Sequence, residues 1–269
     1  MKILLIGDII GRPGRVAVQR LVPKLREEYA LDAVIANCEN AAAGSGITPG
    51  TAEEIFRGGI DVLTSGNHVW RKKEVYELLK LDPRVIRPAN YPEGAPGTGS
   101  TVIEVFSGKK IAVLNLMGRV FMEPLDCPFR TAEKELARLN LITPIIIVDM
   151  HAEATSEKVA IGWFLDGKVS CVFGTHTHIP TADERILPKG TGFITDVGMT
   201  GPYDSVIGRR VDQILHRFLS SLPVRSEVAE GNIQLRGLIV DVDSGTGKAR
   251  SVERITRTVE GSVRDSGGD

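Results

Sequence analysis

The sequence predicts an α/β fold in which a mixed sheet, or two stacked sheets, lies between helices. Three observations carry that expectation. Short Val/Ile/Leu-rich runs alternate with amphipathic stretches along nearly the whole chain. Several of those runs lack polar alternation, as strands do when helices cover the sheet. The rhythm breaks between Glu93 and Leu116, where a Gly/Pro-rich loop leads into two consecutive strands joined by Ser107-Gly108, a hairpin signal.

Lys2–Ile6 is an apolar run that ends at Gly7-Asp8, and Ala33–Ala36 is a second that ends at Asn37-Cys38-Glu39-Asn40. Between them, Arg15–Tyr29 sets Val18, Leu21, Val22 and Leu25 at helical spacing ahead of exposed charges at Arg26, Glu27 and Glu28. Thr48–Gly58 reads as a helix, Val62–Thr64 as a strand before Gly66-Asn67-His68, and Lys72–Lys80 as a helix. The hairpin strands are Thr101–Val105 and Ile111–Asn115. Next come helix Thr131–Asn140, strand Ile145–Asp149, helix Ser156–Leu165 and strand Ser170–Phe173 before Gly174-Thr175-His176-Thr177-His178. Strand Gly192–Thr195 and helix Val211–Leu222 precede Gln234–Asp241, which turns through Ser244-Gly245-Thr246-Gly247 into Arg250–Ile255. Nothing between these elements reads as a linker, so we expect one domain over residues 1–258. Residues 259–269 form a Gly/Ser/charged tail expected to fray.

Composition narrows the function classes. With 269 residues and 42% hydrophobic content the chain buries a large core. A net charge of −1 leaves no basic stripe for duplex nucleic acid. The first apolar stretch is cut short at Asp8, so neither a membrane span nor a signal-peptide core is expected, and the protein is expected in the cytoplasm. Cys38, Cys127 and Cys171 form no C-x-x-C pair and are expected to stay reduced.

The chemistry sits at strand ends. Four of the five histidines fall in three short segments, each directly after an apolar run. With Asp8 and the Glu39-Asn40 segment they supply two carboxylates, amide carbonyls and imidazoles, enough for two metal ions. In open α/β sheets ligands bind at the carboxyl ends of strands. Oxygen donors mixed with imidazoles, and no thiolate cluster, favour Mn, Fe or Zn over a structural cysteine-type zinc. Glu39 is the candidate bridge, because a carboxylate has two oxygens that can face different metals. In Gly174-Thr-His-Thr-His an extended backbone would set both imidazoles on one face. Gly7, Gly66 and Gly174 lie where the chain would approach the ions, unless they are ordinary turn glycines. His216, in a helical stretch, reads as a surface or packing residue.

These residues resemble a known family. Gly7-Asp8, Gly66-Asn67-His68, His151 and Gly174-Thr-His-Thr-His are similar to the ordered motif series of the calcineurin-like metallophosphoesterases. Gly7-Asp-Ile-Ile-Gly-Arg-Pro-Gly-Arg15, Asn37-Cys-Glu-Asn-Ala-Ala-Ala-Gly-Ser-Gly46 and Thr195-Asp-Val-Gly-Met-Thr-Gly-Pro202 resemble the YmdB-like branch. The resemblance implies an α/β/β/α sandwich, a dinuclear metal centre and phosphodiester hydrolysis, with 2′,3′-cyclic nucleotides as a family substrate. It implies one metal on Asp8, Glu39, Asn40 and His178, and the other on Glu39, Asn67, His151 and His176. Iron or manganese is expected first, with zinc next. The chain departs from the wider superfamily at Ile10, where a histidine is usual, and at Glu39, where an aspartate is usual. Asn40 is expected to take the place of the missing histidine.

His68 follows a ligand without being one, and is the expected general acid toward the leaving alkoxide. The nucleophile would be a water or hydroxide held between the metals. Arg12 and Arg15 are candidate phosphate-binding residues at a helix start, Trp70 could stack on a base, and Asp149 and Asp196 could accept from ligand imidazoles. The partner expected is a small phosphoester, with neither duplex nucleic acid nor membrane, and a homo-oligomer is left open. Two rivals stand beside this reading: a metallohydrolase of non-phosphate substrates, and a metal- or nucleotide-sensing regulator with vestigial turnover.

Overall fold

In chain order the first half comprises β1 (Lys2–Ile6), β2 (Asp8–Ile9), α1 (Gly11–Tyr29), β3 (Ala33–Asn37), α2 (Pro49–Arg57), β4 (Val62–Thr64), a 3-10 turn at Val69–Arg71, α3 (Val75–Leu81), β5 (Ser100–Glu104) and β6 (Lys110–Met117). The second half comprises α4 (Pro128–Leu139), β7 (Ile146–His151), α5 (Thr155–Leu165), β8 (Cys171–Thr175), β9 (Arg185–Ile186), β10 (Gly192–Ile194), β11 (Met199–Pro202), α6 (Val211–Ser220), β12 (Ile233–Val242) and β13 (Ala249–Thr258).

Period-two alternation along single strands sets the layers. Leu4 and Ile6 of β1 join Val18, Val22 and Leu25 of α1 in one apolar cluster, while Ile3 and Leu5 point the other way. The second sheet mirrors this: Ile111 and Val113 of β6 face inward to meet Ile3 and Leu5, while Ala112, Leu114 and Leu116 face α4 and α5. The computed structural model, which describes residues 1–260, is therefore an α/β/β/α sandwich, as the sequence leads one to expect.

One sheet runs β2-β11-β12-β1-β3-β4 with β13 paired to β12, and the other runs β5-β6-β7-β8-β10-β9. The first sheet has a parallel run β1-β3-β4 with β12 antiparallel to β1, and the second a parallel run β6-β7-β8-β10 with β5 and β9 antiparallel at its edges. The carboxyl ends of those parallel strands carry Asp8, Glu39, Asn67, His151 and His176. No helix among the described residues is long and apolar enough to cross a membrane.

Some boundaries differ from expectation for identifiable reasons. Helix α1 starts at Gly11 instead of Arg15, since Pro13 in the first turn needs no backbone partner. Gly14 lets the helix lie against β11, where a Cβ would sit 2.5 Å from the Thr200 carbonyl oxygen. Strand β11 is absent from the sequence expectation because Gly201 and Pro202 give it little strand character, yet it pairs with β2 and β12. The tail boundary also moves: Val259 is buried and its N–H donates to the Ile233 carbonyl. Residues 261–269 of the expected fraying segment lie outside the described residues.

Candidate metal centre

Seven side chains from five loops converge at one rim of the two sheets. They form two groups that meet at Glu39. In the first, His178 Nε2 lies 3.7 Å from Asp8 Oδ1 and 3.2 Å from Asn40 Nδ2. In the second, His151 Nε2 lies 3.3 Å from Glu39 Oε2, 3.1 Å from Asn67 Oδ1 and 3.0 Å from His176 Nδ1. Donor atoms of Glu39, His151 and His176 all fall within 4.8 Å of one another. The seven side chains that the sequence singles out as candidate metal ligands thus lie together at this rim.

Each imidazole is oriented by a partner on its outer nitrogen. The Thr175 hydroxyl donates to Asp149 Oδ1 at 2.7 Å and so is left to accept from His151 Nδ1 at 2.9 Å. With Nδ1 so committed, Nε2 is the His151 nitrogen turned toward Glu39. His178 Nδ1 faces the Ile207 carbonyl at 3.0 Å, freeing its Nε2. His176 turns Nε2 to Glu153 at 3.2 Å and Nδ1 inward. Asp149 therefore acts on the His151 imidazole through Thr175 and not directly. Its carboxylate also accepts from Asn37 and Thr64, so one buried group ties β3, β4, β7 and β8 together beneath the site. Burial pushes the Asp149 carboxyl up to about 6, against His151 and these hydrogen bonds.

Asp196 does not meet an imidazole at all. It accepts from Lys158 Nζ at 2.7 Å, from the Thr177 hydroxyl at 2.6 Å and from the Gly198 N–H at 2.7 Å. This buried ion pair fixes the turn between the two histidines. That turn is not extended: His176 has φ 93° and His178 φ 65°, left-handed values that strand geometry excludes. The glycines also divide. A Cβ at Gly7 or Gly174 would overlap a main-chain carbonyl, of Gly198 or Thr195, and only Gly66 faces the centre, where a Cβ would overlap His151 and lie 2.5 Å from Glu39 Oε2.

The electrostatics are those of a buried anionic site. Burial pushes the Asp8 carboxyl up, with His178 and His151 opposing. Burial works the same way on Glu39, but His151 and His68 outweigh it and hold the carboxyl below its usual range. Burial would depress His151, yet Glu39 lifts that imidazole to about 9. His176 is pushed down to about 3 by burial and by His151. It is therefore neutral, with a lone pair to share.

His68 stands beside the donors without joining them. Its N–H donates to Glu39 Oε2 at 2.9 Å, and its Nδ1 lies 2.8 Å from Asn40 Oδ1. Burial, only partly offset by Glu39, lowers its pKa, so the ring is neutral at pH 7. Arg12 is exposed at the start of α1. Arg15 is instead held by Glu54 at 2.6 Å and by the Ala41 carbonyl at 2.7 Å, a strut that braces the Glu39-Asn40 loop. Trp70 stacks on Tyr76 at 5.5 Å and meets Tyr91 edge-on, so its ring is already packed. Cys38 is fully buried, and burial raises its thiol pKa, as for an inert core residue.

Sequence reasoning missed Thr175, Glu153 and Lys158. Thr175 lies inside a motif that the sequence singles out, but Glu153 and Lys158 reach the site only through the loop and helix that come after β7.

The donor set fits divalent cations. The second group spaces its atoms 3.0–3.3 Å apart, about the edge of a coordination polyhedron with bonds of about 2.1 Å. Asp8 Oδ1 is buried without a hydrogen-bond partner among the described residues, a cost that a cation would offset.

Residues 4–255 match the family described as YmdB-like protein. The 2′,3′-cyclic-nucleotide 2′-phosphodiesterase of Bacillus subtilis is 51% identical over 255 residues, 95% of this chain and 96% of that protein. A solved structure of a hypothetical protein from Thermus thermophilus is 42% identical with a TM-score of 0.90, covering 96% of this chain and 99% of the other. A solved phosphatase from Mycoplasma pneumoniae is 36% identical with a TM-score of 0.89, covering 96% and 93%.

Proposed function

The chain belongs to the YmdB-like family, and from that premise we propose that it is a dinuclear-metal phosphodiesterase acting on 2′,3′-cyclic nucleotides. The observation that carries this reading is the pairing of two donor groups across Glu39, each with one or two imidazoles and one amide. Asp8, Glu39, Asn40 and His178 hold one ion, and Glu39, Asn67, His151 and His176 hold the other. Oxygen donors with imidazoles suit iron or manganese ahead of zinc. Two such ions supply positive charge to the phosphoryl oxygens and a water of lowered pKa.

The chain's own residues supply the rest. With its amide turned over, Asn40 would offer its oxygen to an ion beside His178, and its Nδ2–H would donate to His68 Nδ1. The neutral His68 ring thereby keeps its proton on Nε2, ready for the leaving alkoxide. Amide donors add no negative charge against a phosphate. A strained five-membered cyclic diester carries its leaving hydroxyl within the same molecule, so one acid serves it. The near-neutral chain supplies only local cationic help, from Arg12.

Catalytic efficiency on 2′,3′-cyclic AMP, 3′,5′-cyclic AMP, single-stranded RNA and a phosphomonoester tests the reading. We expect 2′,3′-cyclic AMP to lead. Preference for RNA or the monoester would overturn the substrate assignment.

A further inference from the structure

Between β6 and α4 the chain crosses the mouth of the metal centre. Gly118 donates its N–H to the His151 carbonyl at 2.9 Å, so the loop leaves the sheet directly over a ligand. A Cβ at Gly118 would lie 2.6 Å from Ala152 Cβ, so the approach has no room for a side chain. The next residues are held from below by Glu157 of α5, whose buried carboxylate accepts from Arg119 N at 3.0 Å and Val120 N at 3.3 Å. Met122 accepts from Glu153 N, the same Glu153 that orients His176.

This anchoring presents Phe121 to solvent. The ring is 89% exposed, and its backbone sits at φ 61°, a region that non-glycine residues rarely adopt. An exposed aromatic side chain and a strained backbone are both unfavourable, and they coincide at the residue directly after the Arg119-Val120 backbone that a buried carboxylate holds. Such strain, imposed by its surroundings, clusters where ligands bind. Phe121 also lines a cavity of about 370 Å³ with Met122, Glu123, Asn67 and His176. Two of those residues are ligands of the proposed centre, so the cavity opens on the reacting phosphate and is large enough for a small molecule.

We propose that this cavity is the nucleobase subsite, with Phe121 as a stacking platform and Met122 as an apolar wall. The inference rests on the cyclic-nucleotide reading of the metal centre. The base is the one part of such a substrate that is flat and apolar-faced, and aromatic stacking holds bases of any sequence. Glu123, an acceptor-only group at the rim, suits a base that carries an exocyclic amino group. Trp70, the other candidate ring, is packed between Tyr76 and Tyr91 and cannot take this role.

Kinetics with a base-bearing and a base-free substrate test it. For Phe121→Ala, KM for 2′,3′-cyclic AMP should rise roughly 5- to 150-fold with kcat nearly kept, the usual worth of one stacked base. On methyl riboside 2,3-cyclic phosphate the variant should match the parent protein, and Phe121→Tyr should restore the KM on 2′,3′-cyclic AMP. Phe121→Gly removes both strain and ring, so it should melt no lower than the parent while sharing the KM defect. Equal losses on both substrates, or an unchanged KM, would overturn the proposal.

Calorimetric binding of adenosine 3′-monophosphate against ribose 3-phosphate separates the two ideas. If the parent protein discriminates these ligands and Phe121→Ala does not, the subsite stands even where cyclic diesters are not turned over. If the parent binds both equally, the subsite falls whatever the enzyme hydrolyses.

Discussion

Gly66→Ala probes the centre with a single methyl group. Gly66 does not have a positive φ, so alanine fits the backbone and the effect is steric. The added Cβ would overlap His151 and lie 2.5 Å from Glu39 Oε2, about 0.9 Å short of the 3.4 Å at which ordinary contact begins. Glu39 or the Gly66 loop must therefore shift by nearly 1 Å, and His151 or the loop by more. Metal sites tolerate about 0.2 Å in donor position, and a misplacement of about 1 Å typically costs ~10²-fold in rate. The crowding itself should cost about 1–3 kcal/mol, which lowers Tm by roughly 2–12 °C and leaves the protein folded at 25 °C. Elemental analysis, circular dichroism and turnover of a phosphodiester are measured on the same preparation. We expect a folded protein with most of its metal lost and activity down at least ~10²-fold. A variant with full metal and a rate within a few-fold of the parent would refute the reasoning.

Glu39→Gln or Asp8→Asn is expected to lower metal content and activity together, whereas His68→Ala keeps its metal and slows turnover by roughly 10²–10⁴. A His68→Ala protein stripped of metal would make His68 a ligand instead of an acid. Lys158→Met strands a carboxylate that is 1% exposed, so Tm should fall by roughly 6–20 °C, from about 3–5 kcal/mol for breaking a buried pair. A calorimetric shift under about 2 °C, the low end for even 1 kcal/mol, would contradict that role. Arg12→Gln should raise KM, and Arg15→Gln should lower Tm, because Arg15 braces Glu54 and the Ala41 carbonyl. The reverse pattern would exchange the two roles.

The layers and the place where the candidate ligands converge are legible in the sequence because both depend on short-range pattern. Buried parallel strands are written as Val/Ile/Leu runs, and the residues directly after each run lie at the functional rim, so Asp8, Glu39, Asn67, His151 and His176 can be located from order alone. The features that resist reading depend on contacts far apart in sequence. Asp196 looks like a partner for an imidazole, but it meets Lys158, 38 residues earlier, in a helix whose pattern does not mark a buried lysine. The Thr175 relay between Asp149 and His151 needs β7 and β8 in register, with His151 opposite Thr175. The left-handed backbone at His176 and His178 is imposed by the same Asp196 network, with no glycine or asparagine to announce it. Phe121 carries no signal at all, since an aromatic residue in a loop reads as core until the loop is seen to hold it in solvent.

Metal stoichiometry tests the central claim most directly. Elemental analysis of the purified, undepleted protein should find close to two iron, manganese or zinc ions per chain. Chelation should remove them with the activity, and added manganese should restore both. One ion per chain, or none, in protein that is fully active would contradict the account.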